Sequence, residues 1–216
     1  MTTRWEKNRV EAFSDGVFAI AITLLVLEIH APTPAETHEV GLWTALASRW
    51  PSYLAYVLSF ISIGIMWANH HTIFQYIRRT NRTFLLLNVV FLMFISFVPY
   101  PTAVLAEYLP DPAFRKVGAL FYSLTLIGIA INYNLVWRYG VGSGRLLAHN
   151  ADPVAVATIS RRYLVGPAMY ALAAVLALFN AWASLAIHGL LLLFFMFSER
   201  TPIVHRRRRD TTGPLT

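Results

Sequence analysis

The sequence contains no cysteine and few charged residues. Because Cys is absent from all 216 residues, disulfide bonds, thiolate metal sites and thiol nucleophiles are excluded. Charged residues make up only 13% of the chain, against about 25% in an average soluble domain. Hydrophobic residues make up 56%, so the composition predicts a polytopic membrane protein rather than a soluble domain.

Enzyme motifs are missing as well. The chain has no Gly-x-Ser-x-Gly nucleophile elbow, no His-Glu-x-x-His zinc motif and no Walker-type phosphate loop. His70 and His71 are adjacent, so on a helix they point about 100° apart and cannot chelate one metal ion as an i, i+4 pair would. We therefore expect neither an enzyme nor a resident cofactor.

The chain instead contains long apolar runs. Six of them approach the length of a bilayer span at about 1.5 Å of rise per residue. The first holds Asp15 and ends at Glu28, unlike the uninterrupted core of a cleavable signal, so we expect it to remain as the first membrane helix. The predicted fold class is all-α, with a six-helix membrane domain over residues 1–200 and a basic cytoplasmic tail over 201–216. The predicted helices cover residues 10–29, 51–71, 83–98, 113–137, 163–179 and 182–197.

Prolines and charged residues define the segments between the predicted helices. Pro99 and Pro101 are predicted to break the third helix, because proline lacks a backbone donor. Residues 31–41 are predicted to form an acidic loop that contains Glu36 and Glu39. A short surface helix is predicted after residue 152.

The basic residues explain the net charge of +7 through topology. If both termini lie on one side, that side holds 15 of the 18 Lys and Arg residues, and the other side keeps only Arg49, Arg115 and Lys116. By the positive-inside rule, both termini are predicted to be cytoplasmic. This distribution argues against nucleic-acid binding. The arginine-rich tail is interpreted as a topology anchor or a contact to anionic membrane lipid.

The first apolar run separates its residues by face. At about 100° per residue, four residues lie within about 60° of one line: Ile20, Thr23, Leu24 and Leu27. Asp15 points away from that line. The face is therefore apolar with a single hydroxyl, and two interpretations stand. Either it packs in a core or against lipid, or it lines a path through the membrane.

Polar residues occur at a similar depth in the first three helices. A charge such as that of Asp15 costs on the order of 2.5–3.5 kcal/mol at mid-membrane, so it needs a partner or a purpose. Because buried polar groups in a bilayer must pair with one another, we expect a structural network that holds helix 1 against helices 2 and 3. Its candidate members are Arg9, Phe13, Ser14, Asp15, Trp67, Asn69, His70 and Asn88. The alternative is a proton relay that uses Asp15 and His70.

The order of residues in helix 1 resembles a family signature. Residues 9–15 spell Arg-x-x-x-Phe-Ser-Asp, and residues 16–28 follow as Gly-Val-Phe-Ala-Ile-Ala-Ile-Thr-Leu-Leu-Val-Leu-Glu. This stretch resembles the first helix of the transmembrane protein 175 family, which are potassium-permeable channels of prokaryotic membranes and of animal endosomes and lysosomes. The stretches at 67–71 and 96–102 and the six-span plan extend the resemblance. Animal members carry two six-helix repeats, whereas this chain has one, as in the prokaryotic form.

The resemblance implies a function and a mechanism. Helix 1 would line a central pore, one copy per subunit of a homotetramer, with Ile20, Thr23, Leu24 and Leu27 facing the ions. No Thr-Val-Gly-Tyr-Gly loop is present, so the carbonyl filter of ordinary potassium channels is not expected. Rings of Ile20 and Leu27 are expected to form hydrophobic gates that close by dewetting. Thr23 is expected to offer the side-chain oxygens.

The expected partners are other copies of the chain, membrane lipid and permeant K⁺, with no small-molecule substrate. The expected location is a prokaryotic plasma membrane. Two other classes of function stay open: a proton-coupled carrier that uses Asp15 and His70, and a non-transporting membrane assembly protein. Broken helices with apposed ends would favour a carrier, and helix 1 contains only Gly16 as a possible breaker.

Overall fold

The structure, a computed structural model, describes residues 7–142, 146–148 and 151–197. Within those ranges the fold is built of helices, as the sequence predicts. The proposed basic tail over 201–216 lies outside the described residues. The helices are α1 (Lys7–Leu24), α2 (Pro34–Val40), α3 (Leu42–Ser48), α4 (Trp50–Tyr76), α5 (Arg82–Phe97), α6 (Pro99–Tyr108), α7 (Arg115–Gly142), α8 (Pro153–Arg162), α9 (Val165–Phe179) and α10 (Ala181–Phe197). A 3₁₀ turn, Leu25–Glu28, extends α1.

Five helical segments of the described chain are long and apolar enough to cross a membrane. They are Lys7–Glu28, Trp50–Tyr76, Arg82–Tyr108, Arg115–Gly142 and Pro153–Phe179. α10 is a further apolar helix of 17 residues, at the lower limit of roughly 17 residues for a span. The predicted class, an all-α polytopic membrane protein, is confirmed.

Two helices run further than the sequence predicts. The second was expected to end at His71 and the fourth at Trp137, whereas α4 continues to Tyr76 and α7 to Gly142. Tertiary packing supports the added turn of α4, because the ring of Tyr76 packs edge-on against that of Trp137 with 5.8 Å between centroids. Helix ends set by such contacts between helices cannot be found from local sequence alone.

Pro99 and Pro101 do not end the third span, contrary to expectation. α6 begins at Pro99 directly after Val98, which itself has helical angles of φ −54° and ψ −38°. Pro99 occupies the first helical position, where a backbone N–H would lack an intrahelical partner in any case. The backbone N–H of Thr102 donates to the Val98 carbonyl at 3.1 Å. The span therefore continues through both prolines.

The predicted acidic loop at 31–41 contains a helix. α2 begins with a capping box, in which the Glu36 N–H donates to the Thr33 hydroxyl at 3.3 Å and the Thr33 N–H donates to Glu36 Oε2 at 2.8 Å. Gly41 joins α2 to α3 with φ 82°, a left-handed conformation that disfavours residues with a side chain. Arg49 Nη2 pairs with Glu36 at 2.8 Å. This segment is therefore folded, and a basic partner matches one of its acidic charges.

α7 lies at the centre of the bundle and α1 at its edge. α7 contacts α4, α5, α6, α9 and α10, and α9 and α10 pack side by side. α1 packs mainly against α4 and α5. Large side chains that are at most 2% exposed fill the core: Phe18, Phe74, Phe84, Phe91, Tyr122 and Trp137. α1 consequently has one face inside the bundle and one face outside it.

Gly140 allows α7 to lie close to the chain that follows α4. Ile77, in that chain, forms an isolated antiparallel bridge with Leu147 and is only 1% exposed. A Cβ atom on Gly140 would lie 2.7 Å from Ile77 Cδ1 and 3.7 Å from Phe84 Cε2. A Cβ atom on Gly142 would have no neighbour within 4 Å among the described residues. The two glycines of one helix therefore differ in the space around them.

Gly140→Ala is expected to destabilise the fold, because the added methyl group displaces Ile77 from a filled site. Overpacking of this kind costs about 1–3 kcal/mol. Gly142→Ala is the matched control, with the same change at an open position. Thermal unfolding in detergent should give a lower midpoint for Gly140→Ala only. Equal midpoints for the two variants would contradict the described packing.

Candidate functional site

One face of α1 is packed into the subunit. Its buried residues follow the helical repeat: Val10, Ser14, Phe18, Ala21 and Leu25. Spacings of three and four residues put them on one side of the helix, and α4 and α5 contact that side. Phe18 is 2% exposed and Leu25 is fully buried. This face fixes the rotation of α1 about its own axis.

The other face of α1 is uncovered in the described chain. Ile20 and Leu27 are 62% and 66% exposed, and Leu24 is 41% exposed. Thr23 is also exposed. All four residues that the sequence singles out as pore candidates thus lie on the uncovered side. Ile22, in contrast, is half-buried against the core.

Thr23 presents an oxygen on the uncovered face. Its hydroxyl lies 2.9 Å from the carbonyl oxygens of both Ala19 and Ile20, so it donates its hydrogen to its own helix. A hydroxyl has one hydrogen and two lone pairs. No described residue donates to these lone pairs, so they can accept a hydrogen bond or coordinate a cation from the open side.

A chain of hydrogen bonds holds the packed face of α1. Ser14 Oγ donates to the Val10 carbonyl at 2.9 Å, and Asn88 Nδ2 donates to Ser14 Oγ at 3.0 Å. Asn88 Oδ1 lies 2.8 Å from His70 Nε2. Because an amide oxygen only accepts, His70 is the donor and carries its hydrogen on Nε2. Ser14, Asn88 and His70 are at most 1% exposed, so a buried polar chain joins α1, α5 and α4.

Aromatic rings surround His70. The rings of Phe18, Phe74 and Phe91 lie 5.4, 4.9 and 5.5 Å from the imidazole, between centroids. Phe91 stacks on it at an interplanar angle of 9°. His70 Nδ1 is buried without a hydrogen-bond partner in the described ranges, so a second N–H at that atom would lack an acceptor. This environment suits a structural imidazole better than a proton relay.

Asp15 has a different partner. Trp67 Nε1 donates to Asp15 Oδ1 at 2.9 Å and joins α1 to α4. Among the residues that the structure describes, no hydrogen bond joins Asp15 to His70. One turn closer to the N-terminus of α1, Glu11 Oε1 lies 2.9 Å from His71 Nδ1 of α4. The sequence analysis did not identify this pair. The spacing nevertheless indicates it, because positions 11 and 15 of α1 and positions 67 and 71 of α4 are each four residues apart. Two antiparallel helices with this spacing form two stacked contacts.

Three other candidates lie apart from this chain of hydrogen bonds. Phe13 is 60% exposed and Arg9 is also exposed. Arg9 has no hydrogen bond to the other candidates within the part of the chain that the structure describes. The carbonyl of Asn69 accepts from the Tyr133 hydroxyl at 2.9 Å, and Asn69 lines a crevice between α4, α7, α9 and α10. The structure therefore sets these three residues outside the Ser14–Asn88–His70 chain.

The 3₁₀ turn that extends α1 meets a half-open cavity of about 260 Å³, which is lined by both polar and apolar residues. Its lining includes Glu28, His30, Arg49, Ser52, Glu107 and Tyr108. The pKa of the nearby Glu36 carboxyl lies below its usual range. The main cause is that the N–H and hydroxyl of Thr33 donate to this carboxyl, and the positive charge of Arg49 adds to the effect. In the described ranges, no three His, Asp or Glu side chains come together as a metal site would require. The carboxyls of Glu28 and Glu107 thus give this end of α1 its negative charge.

Asn88→Ala is expected to destabilise the subunit by roughly 1–3 kcal/mol, because it leaves the buried His70 Nε2–H without an acceptor and removes the donor to Ser14 Oγ. The matched control is Asn132→Ala, since Asn132 Nδ2 donates to the Gly128 carbonyl of its own helix at 2.9 Å. Thermal unfolding and the yield of assembled protein in detergent measure both variants. An equal effect of the two substitutions would refute a special role for the buried chain.

Comparison with known proteins identifies relatives of this chain. Residues 9–99, which contain both faces of α1 and the polar chain to α4 and α5, match the family described as Endosomal/lysosomal potassium channel TMEM175. A potassium channel of Chamaesiphon minutus is 47% identical over 190 residues, covering 88% of this chain and 93% of that protein. A potassium channel of Streptomyces collinus is 45% identical over 194 residues, covering 90% and 93%.

A solved structure is also similar. The crystal structure of a lysosomal potassium-selective channel TMEM175 homolog from Chamaesiphon minutus matches with a TM-score of 0.82 at 42% identity. The match covers 89% of this chain and 97% of that one, so it extends over the helical bundle as a whole. The resemblance noted in helix 1 is confirmed, and the relatives are channels rather than enzymes. At this identity and coverage, the chain is an integral membrane protein of the TMEM175 family.

Proposed function

We propose that the chain is a potassium-permeable cation channel in which copies of α1 surround a central pore. The observation that carries the proposal is the uncovered line of Ile20, Thr23, Leu24 and Leu27, on a helix whose other face is held in the bundle. The relatives in Chamaesiphon minutus and Streptomyces collinus that are named potassium channels support it.

A single helix cannot enclose a pore, so several subunits must each contribute α1. We favour a homotetramer, in which four uncovered faces turn towards a common axis. In the competing arrangement, the same face turns outwards and contacts lipid. Thr23 favours the first arrangement, because its free lone pairs gain nothing from hydrocarbon.

Ile20 and Leu27 form the apolar rings of the proposed pore. They are seven residues apart, or about 12 Å along the helix and its 3₁₀ extension, and Leu24 lies between them. Narrow apolar rings exclude water, and an ion cannot pass a dry constriction without losing its hydration shell. The closed state is therefore dewetted, and the channel conducts when these rings widen.

Thr23 supplies the oxygen ligands of the proposed pore. Its hydroxyl hydrogen is held by its own helix, so a ring of Thr23 side chains turns lone pairs towards the axis. Potassium gives up its hydration shell more cheaply than sodium, and few oxygen ligands therefore favour potassium. Because the four pore candidates carry no charge, we expect the preference to be modest.

Charged residues concentrate cations at the outer end of the proposed pore. Glu28 follows the last pore candidate directly and lines the same cavity as Glu107. Carboxylates at the mouth of a pore raise the local cation concentration. Glu36 contributes less than its place in an acidic segment suggests, because Arg49 pairs with it.

We assign both termini to the cytoplasm and the chain to a prokaryotic plasma membrane. Arg78 and Arg79 are exposed beyond the end of α4, and Arg138 lies in the last turns of α7 at the same end of the bundle. This end is basic, as the positive-inside rule requires of the cytoplasmic side. We propose that residues 1–200 form one membrane domain and that residues 201–216 serve as a basic anchor.

Reconstitution in liposomes tests the function itself. With a potassium gradient and no proton gradient, a channel gives rapid potassium flux, whereas a proton-coupled carrier gives slow flux that depends on protons. Flux no higher than in protein-free liposomes would support a non-transporting assembly protein instead. The observation against the carrier is that, in the part of the chain that the structure describes, Asp15 accepts a hydrogen bond from Trp67 and none from His70.

Ile20→Asn and Leu27→Asn are expected to raise cation current, because a polar ring is easier to wet than an apolar one. A barrier lower by about 1.4 kcal/mol gives a tenfold increase. Ile22→Asn is the control, since Ile22 packs against the core and should lower protein yield without opening the pore. Single-channel recording measures all three variants. The pore assignment fails if only Ile22→Asn changes the current.

Thr23→Ala is expected to reduce the preference for potassium over sodium, because it removes the side-chain oxygens from the uncovered face. Thr23→Ser keeps the hydroxyl and should retain most of the preference. Reversal potentials under bi-ionic conditions report both variants. Unchanged selectivity in Thr23→Ala, with normal current, would exclude Thr23 as the ligand.

Single cysteines test the proposed topology, since the chain has none of its own. Arg79 and Glu39 are exposed at opposite ends of the bundle. A membrane-impermeant thiol reagent added to intact cells should label Glu39→Cys. It should label Arg79→Cys only after the membrane has been permeabilised. The reverse labelling pattern would invert the topology.

A further inference from the structure

The turn that carries Leu27 differs in its backbone from the rest of α1. Leu25–Glu28 is a 3₁₀ helix, in which each residue eclipses the third one after it. Leu25 is fully buried, so Glu28 lies on the packed side of the turn, whereas Leu27 is 66% exposed and lies on the uncovered side. Hydrogen bonds in a 3₁₀ helix have poorer geometry than those in an α-helix. This turn therefore changes shape more readily than the α-helix before it.

A cavity lies behind the turn. The half-open space of about 260 Å³ that borders it is lined by Glu28, by Ser52 of α4, and by Ala103 and Glu107 of α6. Since Glu28 is on the packed side, the cavity and Leu27 lie on opposite sides of the turn. A space of about 150 Å³ can already hold a benzene molecule. The cavity is therefore large enough to accept a movement of the turn away from the uncovered side.

The far walls of the cavity are held by buried polar contacts. Thr102, directly before Ala103, joins α6 to α4 through a distance of 2.7 Å between its hydroxyl and that of Ser59. The Tyr122 hydroxyl of α7 lies 3.0 Å from the same Ser59 oxygen. Thr102, Ser59 and Tyr122 are at most 1% exposed. α4 and α6 thus form fixed walls, and the turn is the side of the cavity that can move.

Ile20 has a different support. The packed side of α1 near this residue contains Phe18, which is 2% exposed. The rings of His70 and Phe91 lie 5.4 and 6.0 Å from the Phe18 ring, between centroids. Close-packed interiors have low compressibility. Ile20 is therefore held in place by a filled core, unlike Leu27.

We propose that the cavity is the space into which the 3₁₀ turn withdraws when the channel opens, so that the Leu27 ring is the movable gate and the Ile20 ring a fixed constriction. The inference rests on the proposed pore, since it assigns different roles to two of its rings. Polar walls allow water to occupy the cavity, and the half-open side lets this water leave as the turn moves in. A group that fills the cavity consequently holds the outer ring closed.

Reversible filling of the cavity tests this assignment. Ala103→Cys introduces the only cysteine of the chain, and a neutral reagent such as benzyl methanethiosulfonate attaches a benzyl group to it through a disulfide bond. Modification is expected to lower the open probability of single channels roughly tenfold, as a bias of about 1.4 kcal/mol towards the closed state gives. A reducing agent should restore it. Ala113→Cys is the matched control, because Ala113 is exposed between α6 and α7 and does not line the cavity.

A substitution in the opposite direction provides a second test. Val104 of α6 lines the cavity, so Val104→Ala enlarges the space behind the turn. This variant should raise the open probability severalfold and leave the ratio of potassium to sodium permeability unchanged, because Thr23 is not altered. Single-channel recordings of the variant and the wild type measure both quantities.

Three results would overturn the proposal. Complete modification of Ala103→Cys, verified by mass spectrometry, without a change in open probability would show that the turn does not use the cavity. An equal effect at Ala113→Cys would indicate a general effect of the reagent. A lower single-channel conductance with unchanged open probability would indicate that the cavity only concentrates cations.

The same recordings separate this inference from the proposed function. Wild-type protein that carries no potassium current would contradict the proposed function and the inference with it. Channels that conduct but ignore modification of Ala103→Cys would contradict the inference alone. Should Ala103→Cys fail to assemble or to react, Val104→Ala decides, and an unchanged open probability in that variant would overturn the proposal.

Discussion

The buried hydrogen-bond chain from Ser14 through Asn88 to His70 is the constraint on which the proposed channel depends. In hydrocarbon there is no water to satisfy an exposed amide or hydroxyl, so these three groups must meet one another. Their bonds at 3.0 and 2.8 Å allow only one rotation of α1 against α4 and α5. Since a helix has two sides, the same bonds decide which apolar residues point out of the subunit.

The remaining contacts of α1 support that rotation. Trp67 with Asp15 and His71 with Glu11 form two stacked contacts along the α1–α4 boundary, while Phe18 packs beside the imidazole of His70. Polar contacts therefore hold the N-terminal half of α1, and apolar contacts hold the rest. The uncovered residues have no partner among the described residues of their own subunit. This lack of a partner is why assembly and conduction are linked in the proposed mechanism.

The sequence predicted those features that depend on one helix at a time. Helical periodicity alone assigned Ile20 and Leu27 to one face and Ile22 to another, and composition gave the all-α membrane class. Polar contacts between helices were expected for Ser14, His70 and Asn88, and hydrogen bonds join these three residues, but other features that depend on contacts between helices were missed. The continuation of α4 to Tyr76 rests on packing against Trp137, and the span through Pro99 rests on the helical conformation of Val98. The partner of Asp15 was also open, because several polar residues lie at one depth and only the structure selects Trp67. The capping box formed by Thr33 and Glu36 can be recognised in the sequence. It predicts the helix α2 in the segment 31–41 that was expected to be a loop.

The central claim is that the uncovered face of α1 lines the conduction path. Chemical modification of single cysteines during current recording tests it most directly, because the unmodified chain offers no competing thiol. We predict that a positively charged, water-soluble thiol reagent reduces the current through Leu27→Cys channels and leaves Ile22→Cys channels unaffected. Modification that acts at position 22 and has no effect at position 27 would contradict the account.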